Sequence, residues 1–394
     1  MSTHDYNEAS LALHRRLKGK LEITANTPID SNDDLSIIYS PGVAAPCMAI
    51  AEDQSLAYDL TIKGRTVAVV SDGSAVLGLG NIGAMAAIPV MEGKAALFKK
   101  FARLNAFPIC LDTQDTEEII RTVQLIAPVF GGVNLEDISA PRSFEIEQRL
   151  QDIGIPVFHD DQHGTAIVTL AGLINACKVV GKNLNELNIV INGAGAAGIA
   201  ITNLLRCHDH DHDRGNCITV KSVIVCDSKG IISKDRDNLN DAKQKLLTYT
   251  NPQNKSGSLI DAMTDADVFI GVSIENLLEA QHIKAMSDNP IVFALANPTP
   301  EIMPEKAKEL GVAIIATGRS DYPNQVNNVL AFPGIFKGAL EVRAPRITAD
   351  MKIAAAKAIA TCEPSPTSES IIPNALNMEI ANKVAQAIMY NYHG

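Results

Sequence analysis

Short runs of β-branched and other apolar residues recur along the chain at 66–70, 107–111, 129–133, 155–158, 188–191, 223–226, 268–270, 291–294 and 312–316. Between them lie stretches with helical spacing of apolar positions, such as 143–152, where Phe144, Ile146 and Leu150 fall roughly on one face. Strands alternating with amphipathic helices are the rhythm of a parallel α/β protein. A new glycine-rich turn follows the strand at 188–191, so the pattern predicts two units, 1–160 and 161–394. The Pro- and Ser-rich segment 363–373 reads as a loop before a final helix over 375–390, with Ile380, Val384, Ala385 and Ile388 on its packed side.

Composition narrows the class. Of 394 residues, 46% are hydrophobic and 20% charged, which excludes a disordered chain and one that is membrane-like throughout. The longest apolar stretch, 166–176, is too short to span a bilayer. The N-terminus lacks the basic start and apolar run of a secretory signal. Lys plus Arg number 34 against 45 Asp plus Glu, a formal charge of −11, which argues against nucleic-acid or anionic-membrane partners. The seven cysteines form no CxxC pair, and their odd count suits reduced thiols in a cytoplasmic protein, with no disulfide or zinc framework legible.

Two glycine-rich turns compete for a phosphate. Gly193, Gly195 and Gly198 in GAGAAG follow a strand directly and open an apolar helix over 199–205, so with Ala196 and Ala197 they form the tight turn that brings backbone N–H groups to a pyrophosphate. The next strand ends in Asp227, suited to ribose hydroxyls, though the interval exceeds the usual ~20 residues because of the polar insert 208–216. Gly78, Gly80 and Gly83 fit the same pattern but trail their strand too far. That loop is assigned to shaping a substrate pocket.

Carboxylates gather at two strand ends: Glu136 and Asp137 after 129–133, and Asp160 and Asp161 after 155–158. A connecting helix puts both pairs on the carboxyl edge of one sheet, where α/β ligand sites lie. Four acids there repel unless they are protonated, separated or bound to a metal, and oxygen-only ligands favour Mg²⁺ or Mn²⁺. Tyr39, ahead of a Pro- and Gly-fixed turn, is a candidate proton donor. Lys94, within an apolar helix pattern, is a candidate base, since desolvation lowers a lysine's hold on its proton.

Taken in order, YSPGVAAPC (39–47), SDGSAVLGLGNIG (71–83), PVMEGKA (89–95), NLEDISAP (134–141), FHDDQHGTA (158–166), GAGAAG (193–198), ANPTPE (296–301) and ATGRSDYPNQVNNVLAFPG (316–334) resemble the malic enzymes, in their short bacterial and archaeal form. The resemblance spans about residues 11–390. It implies an N-terminal α/β substrate domain and a C-terminal Rossmann-type NAD(P)-binding domain with a parallel sheet. It further implies oxidative decarboxylation of L-malate to pyruvate and CO₂ with NAD(P) and a divalent metal, and oxaloacetate decarboxylation beside it. Lys94 is then the base toward the C2 hydroxyl, Tyr39 the acid toward the enolate, and Asp160 the residue tuning Lys94. Glu136, Asp137 and Asp161 are the metal ligands. Asn297, Asn328 and Asn327 hold the substrate, Asn297 also facing the cofactor. The resemblance also implies a homodimer or higher homo-oligomer, in which one subunit can complete its neighbour's site.

Three points depart from or refine that pattern. Animal and plant members carry an arginine where this chain has Ala75 and an aspartate where it has Asn81, so Ser74 is expected to help take over the carboxylate-binding role. The His/Asp insert at 208–213 lies outside the family pattern and receives no catalytic role. Asp227 favours NAD by repelling a 2′-phosphate, while Lys229, Lys234 and Arg236 lie close enough in sequence to accommodate NADP. Other readings of the same residues are a malolactic enzyme that retains NAD and releases lactate, a non-catalytic NAD-binding regulator, and an amino-acid dehydrogenase with no metal triad.

Overall fold

The computed structural model describes residues 3–208, 217–237 and 239–393. The first sheet has four parallel strands, β1 (Thr66–Ser71), β2 (Asn105–Cys110), β3 (Gly132–Leu135) and β4 (Val157–His159), in the order β2-β1-β3-β4. The second contains β5 (Asn188–Asn192), β6 (Ser222–Asp227), β7 (Gly230–Ile231), β8 (Val268–Gly271), β9 (Ile291–Ala294) and β10 (Ile314–Thr317), in the order β10-β9-β8-β5-β6-β7. Only the two-residue β7 runs antiparallel, against β6. The α/β class and the Rossmann-type second sheet follow the sequence pattern.

Some edges move, for local reasons. The apolar run at 129–133 begins with a 3₁₀ turn, Ala127–Val129, carrying Pro128, and the strand starts at Gly132. As a result Glu136 and Asp137 leave β3 directly. The final helix is Ile380–Tyr390, shorter than expected, because residues 374–379 form capped turns before it. The helix Asp160–Val180 is longer and more apolar than the sequence suggested, long enough by length and composition alone to cross a membrane. Instead, most of its residues are buried between the sheets.

One apolar core links both sheets, from Val67, Phe98 and Phe158 through Ile167 and Leu170 to Ile189 and Phe293. Burial of this kind contributes roughly 25 cal/mol per Å² of apolar surface. An aromatic cluster locks its centre, with Phe98 edge-on to Phe332 at 4.7 Å and to Phe336 at 5.4 Å. In contrast, none of residues 6–65 is buried, although helices Asn32–Ile38 and Ala44–Glu52 and the turn between them carry Ile37, Tyr39, Val43 and Met48. The thiol expectation fails at one pair: Cys207 and Cys217 form a disulfide, their Cα atoms brought to 5.8 Å at the two ends of the insert. Of that insert only His208 is among the described residues, and its ring stacks on Tyr249 at 4.0 Å.

Candidate active site

The carboxyl ends of β3 and β4 and the last turn of helix Ala84–Leu97 converge. Lys94 lies in that last turn, just before the chain continues as a π-helix over Phe98–Ala102. Its Nζ is 2.6 Å from Asp160 Oδ2 and 2.8 Å from Glu136 Oε1, and 4.4 Å from the centroid of the Phe332 ring. Asn328 donates from Nδ2 to Asp160 Oδ2 at 3.1 Å and accepts from Thr165 Oγ1 at 3.3 Å. Gly164, one turn into its helix, makes room for this arrangement: a Cβ there would fall 2.0 Å from Asp160 Oδ1.

Beside the amine, Glu136, Asp137 and Asp161 each present a carboxylate oxygen within 4.8 Å of the others. Asn134, two residues before Glu136 and therefore on the same face of the extended chain, donates to Glu136 Oε2 at 2.7 Å. Asp137 sits at φ +54°, and its N–H donates to Asp161 Oδ2 at 2.8 Å. His159 Nε2 stands 3.1 Å from the same oxygen.

The protonation balance tests whether this cluster suits a cation. Burial raises Glu136 well above the ordinary carboxylate range; the Lys94 charge opposes this, while Asp161, Asp160 and Asp137 add to it. Burial and the Asp161 charge push Asp137 up to about 7. Asp161 is held low despite its burial, chiefly by His159. Two acids driven toward protonation mark a cluster short of positive charge, and Asp137 Oδ2 is buried without a hydrogen-bond partner among the described residues. An all-oxygen donor set of this kind fits Mg²⁺ or Mn²⁺. For Lys94 the expectation of an easily lost proton is corrected. Burial alone would lower its affinity for the proton, but Asp160 and Glu136 outweigh burial and raise it above the ordinary lysine value.

The second sheet supplies the nucleotide cradle. Gly193 leaves β5 at φ +122° with its N–H on Cys226 O at 2.9 Å, and Gly195 precedes the helix Ala196–Leu205, which includes Ala197 and Gly198. A Cβ on Gly198 would strike Gly193 O at 1.8 Å, whereas one on Gly195 would meet nothing within 4 Å. The turn is closed on its packing side and open where a pyrophosphate would approach. The other glycine loop reaches this half of the molecule too, since a Cβ on Gly78 would lie 2.6 Å from Asn297 O.

Other expected residues stand differently. The Ser74 hydroxyl is already engaged, donating to Asp72 Oδ1 at 2.5 Å and accepting from Arg142 Nη2 and the Ser139 N–H, both at 2.9 Å. A guanidinium, from Arg142, therefore stands beside the loop carrying Ala75, paired with Asp72 at 2.8 Å. Asn81 exchanges amide hydrogen bonds with Gln114. Asn327 caps the short helix Asn328–Leu330 by accepting from the Val329 N–H at 3.0 Å. Asn297 is exposed, its amide packed near Gly318. Tyr39 is 69% exposed, and its hydroxyl has no hydrogen bond among the described residues. Asn134, His159 and Phe332 were missed by sequence reasoning. Strand alternation was the available signal for Asn134.

A lysine set between carboxylates at one sheet edge, with an open glycine turn at the edge of a second parallel sheet, defines a two-domain nucleotide-dependent oxidoreductase. Residues 18–151 match the malic enzyme N-terminal domain and residues 162–392 the malic enzyme NAD-binding domain. The chain belongs to the malic enzyme family. It is 54% identical over 385 residues to the bifunctional malic/malolactic enzyme of Bacillus subtilis, covering 97% of this chain and 92% of that protein. It is 56% identical over 374 residues to the NAD-dependent malic enzyme of Geobacillus stearothermophilus, covering 94% and 76% respectively. The crystal structure of the NAD-dependent malic enzyme of Thermotoga maritima superposes with a TM-score of 0.91 at 49% identity, covering 96% of this chain and 98% of that one.

Proposed function

We propose that this protein converts L-malate to pyruvate and CO₂ with reduction of NAD(P)⁺, with Mg²⁺ or Mn²⁺ held by Glu136, Asp137 and Asp161. The observation that carries the reading is the Lys94 amine fixed between Asp160 and Glu136 on the rim of the three-carboxylate cluster. When bound, the dinucleotide supplies the hydride acceptor and the metal ion the Lewis acidity for a C2 oxygen. Lys94 receives the proton of the C2 hydroxyl. As a base it would act in its neutral form; in the structure Asp160 and Glu136 hold it as a cation, and a metal ion held by Glu136 would take over part of the neutralisation of that carboxylate and hold the amine less firmly in its protonated form. Asp160 and Asn328 position Lys94, and the amides of Asn297 and Asn327 hold the substrate. Ser74 contributes through the Arg142 network rather than by a free hydroxyl.

Tyr39 delivers the proton to the enolate carbon left after CO₂ departs. In a lone subunit its phenol faces solvent, so we place it in the site of a second copy within a homodimer or higher homo-oligomer. The unburied apolar residues of 6–65 support that assembly. The substrate unit is taken as 1–160 and the dinucleotide unit as 161–394, and the protein as cytoplasmic, without nucleic-acid or membrane partners. The likeness to a bifunctional malic/malolactic enzyme supports a second reading, release of lactate with retained NAD.

The deciding experiment follows absorbance at 340 nm with L-malate, Mn²⁺ and either NAD⁺ or NADP⁺, and identifies the organic product. Metal-dependent formation of reduced cofactor with pyruvate is expected. Lactate without net NADH would move the assignment to malolactic activity, and no product with either cofactor would overturn both.

A further inference from the structure

Glu301 is fully buried in the dinucleotide half of the molecule and plays no part in the proposed chemistry. Its Oε1 accepts from the Ser273 N–H at 3.1 Å and its Oε2 from the Ala296 N–H at 3.0 Å. Both amides lie just past the point where β8 and β9 part. The pairing register of these strands ends at Gly271 and Ala294, and the Leu295 N–H makes the last bond of the ladder, to Gly271 O at 2.9 Å. An N–H left unpaired at buried Ala296 would cost free energy, and the carboxylate supplies an acceptor to it and to Ser273 at once. Gly271 makes room for this: a Cβ there would fall 2.4 Å from Glu301 Oε1 and Cδ.

The residues it holds adjoin those that would meet a dinucleotide. Val272, just before Ser273, stands against the cradle: a Cβ on Gly193 would lie 2.7 Å from Val272 O, and one on Gly198 would lie 3.3 Å from Val272 Cγ2. The Ser273 hydroxyl accepts from Asn192 Nδ2 at 2.6 Å, which ties in the last residue of β5. Asn297 directly follows Ala296. Main-chain bonds from the Asn276 N–H to Pro300 O at 3.0 Å and from the Leu278 N–H to Glu301 O at 2.9 Å join the same two loops further out, so they stay attached if the carboxylate is altered. At the same sheet edge Asp227, expected from the sequence to meet ribose hydroxyls, pairs with Arg236 at 2.9 Å and Lys243 at 2.6 Å. Glu301 differs, being met by N–H groups of the chain and by no cation among the described residues. Burial pushes its carboxyl above the ordinary value, and the N–H groups of Ala296 and Ser273 oppose that rise.

We infer that Glu301 is a positioning residue for the dinucleotide: it clips the loop after β8 to the loop after β9, and so fixes Val272 against the glycine turn and Asn297 across from it. The inference rests on the dinucleotide-dependent reading proposed above and deepens it. A carboxylate suits the task because each of its oxygens accepts. Glutamine offers one acceptor and would turn an NH₂ donor toward the other N–H.

The test is calorimetric titration of the full chain with NAD⁺ and with NADP⁺, beside a Mn²⁺ titration followed by the electron spin resonance of the free ion. Glu301→Gln and Gly271→Ala should each weaken the dinucleotide that the parent binds more tightly by about tenfold, the worth of one hydrogen bond to a buried charged group. Mn²⁺ affinity should stay within about twofold, since the carboxylate cluster lies on the other sheet. In Gly271→Ala/Glu301→Ala the added methyl has nothing to strike, so the double variant should bind as Glu301→Ala alone does, and an additive loss would overturn the inference. Circular dichroism checks that each variant is folded. Unchanged dinucleotide affinity in the folded variants, or an equal loss of Mn²⁺ affinity, would also overturn it. Hydrogen exchange on the parent chain needs no variant: the Ser273 and Ala296 amides should be protected before any dinucleotide is added, and exchange there as fast as in exposed loops would sink the clip. Failure of the parent to bind either dinucleotide would instead overturn the dinucleotide reading itself.

Discussion

Lys94 and Glu147 show how single ionisable groups are set by their surroundings. Lys94 touches two carboxylates and the face of Phe332, so truncation leaves Asp160 and Glu136 facing each other without a cation. Lys94→Ala should lower kcat by about 10²–10⁴-fold while dinucleotide affinity stays the same. Near-normal turnover would remove Lys94 from the mechanism. Glu147 is buried behind the site, with His163 Nε2 at 2.8 and 2.9 Å from its two oxygens and Gln162 Nε2 at 3.2 Å. Burial alone would raise its pKa; His163, with help from Lys352 and His159, instead brings it down to about 2. A carboxylate depressed in the folded state stabilises the fold above its unfolded pKa near 4.5 and loses that contribution as pH falls through about 2. Glu147→Gln should therefore cost about 2–3 kcal/mol at neutral pH and much less near pH 2, read from denaturant midpoints across that range. A cost that does not vary with pH would point to packing alone.

At the scale of elements, the start of helix Asp160–Val180 carries the greatest demand. It must present Asp160 to Lys94, Asp161 to the carboxylate cluster and His163 to Glu147, while its later turns fill the core between two sheets. Gly164 reconciles these tasks by leaving space for Asp160, whose far oxygen is fixed by Lys94 and Asn328 and has no room to retreat. Gly164→Ala should destabilise the fold by about 1–3 kcal/mol and lower kcat more than it raises KM. Thermal unfolding together with steady-state kinetics would check this, and an unaltered kcat would show that Asp160 moves freely. The 134–141 segment shows how much of such a site is local. Strand alternation placed Asn134 with Glu136, but the left-handed turn at Asp137 that swings its N–H toward Asp161 has no glycine to announce it.

Across the whole molecule, the N-terminal stretch is the least buried part of the described chain. Residues 6–65 contribute no buried side chain, yet expose Leu35, Ile37, Tyr39 and Met48. If Tyr39 serves a partner subunit, mixing Lys94→Ala chains with Tyr39→Phe chains rebuilds one intact site in each mixed dimer. Random exchange should then restore about a quarter of the parent activity, measured at 340 nm after dissociation and reassociation. No recovery above that of the separate variants would place the tyrosine in its own subunit's site.

The sequence by itself determined the α/β alternation, the position of the GAGAAG turn after a strand and the gathering of Glu136, Asp137, Asp160 and Asp161 at strand ends. These are set by periodicity and by backbone demands acting over a few residues, and they survive shifts of an element's edge. Tertiary structure decided what each charged group meets. The Ser74 hydroxyl was spent on Asp72 and Arg142, Asn328 on Asp160, and Asp227 on Arg236 and Lys243. Cys207 and Cys217 were joined across the insert. Lys94, legible as a lysine in an apolar helix, became a firmly held cation only when β3 and β4 brought it two carboxylates. Electrostatic environment is a sum over neighbours contributed by segments far apart in the chain, so the local pattern of residues fixes which groups are present and the fold fixes their charge and their partners.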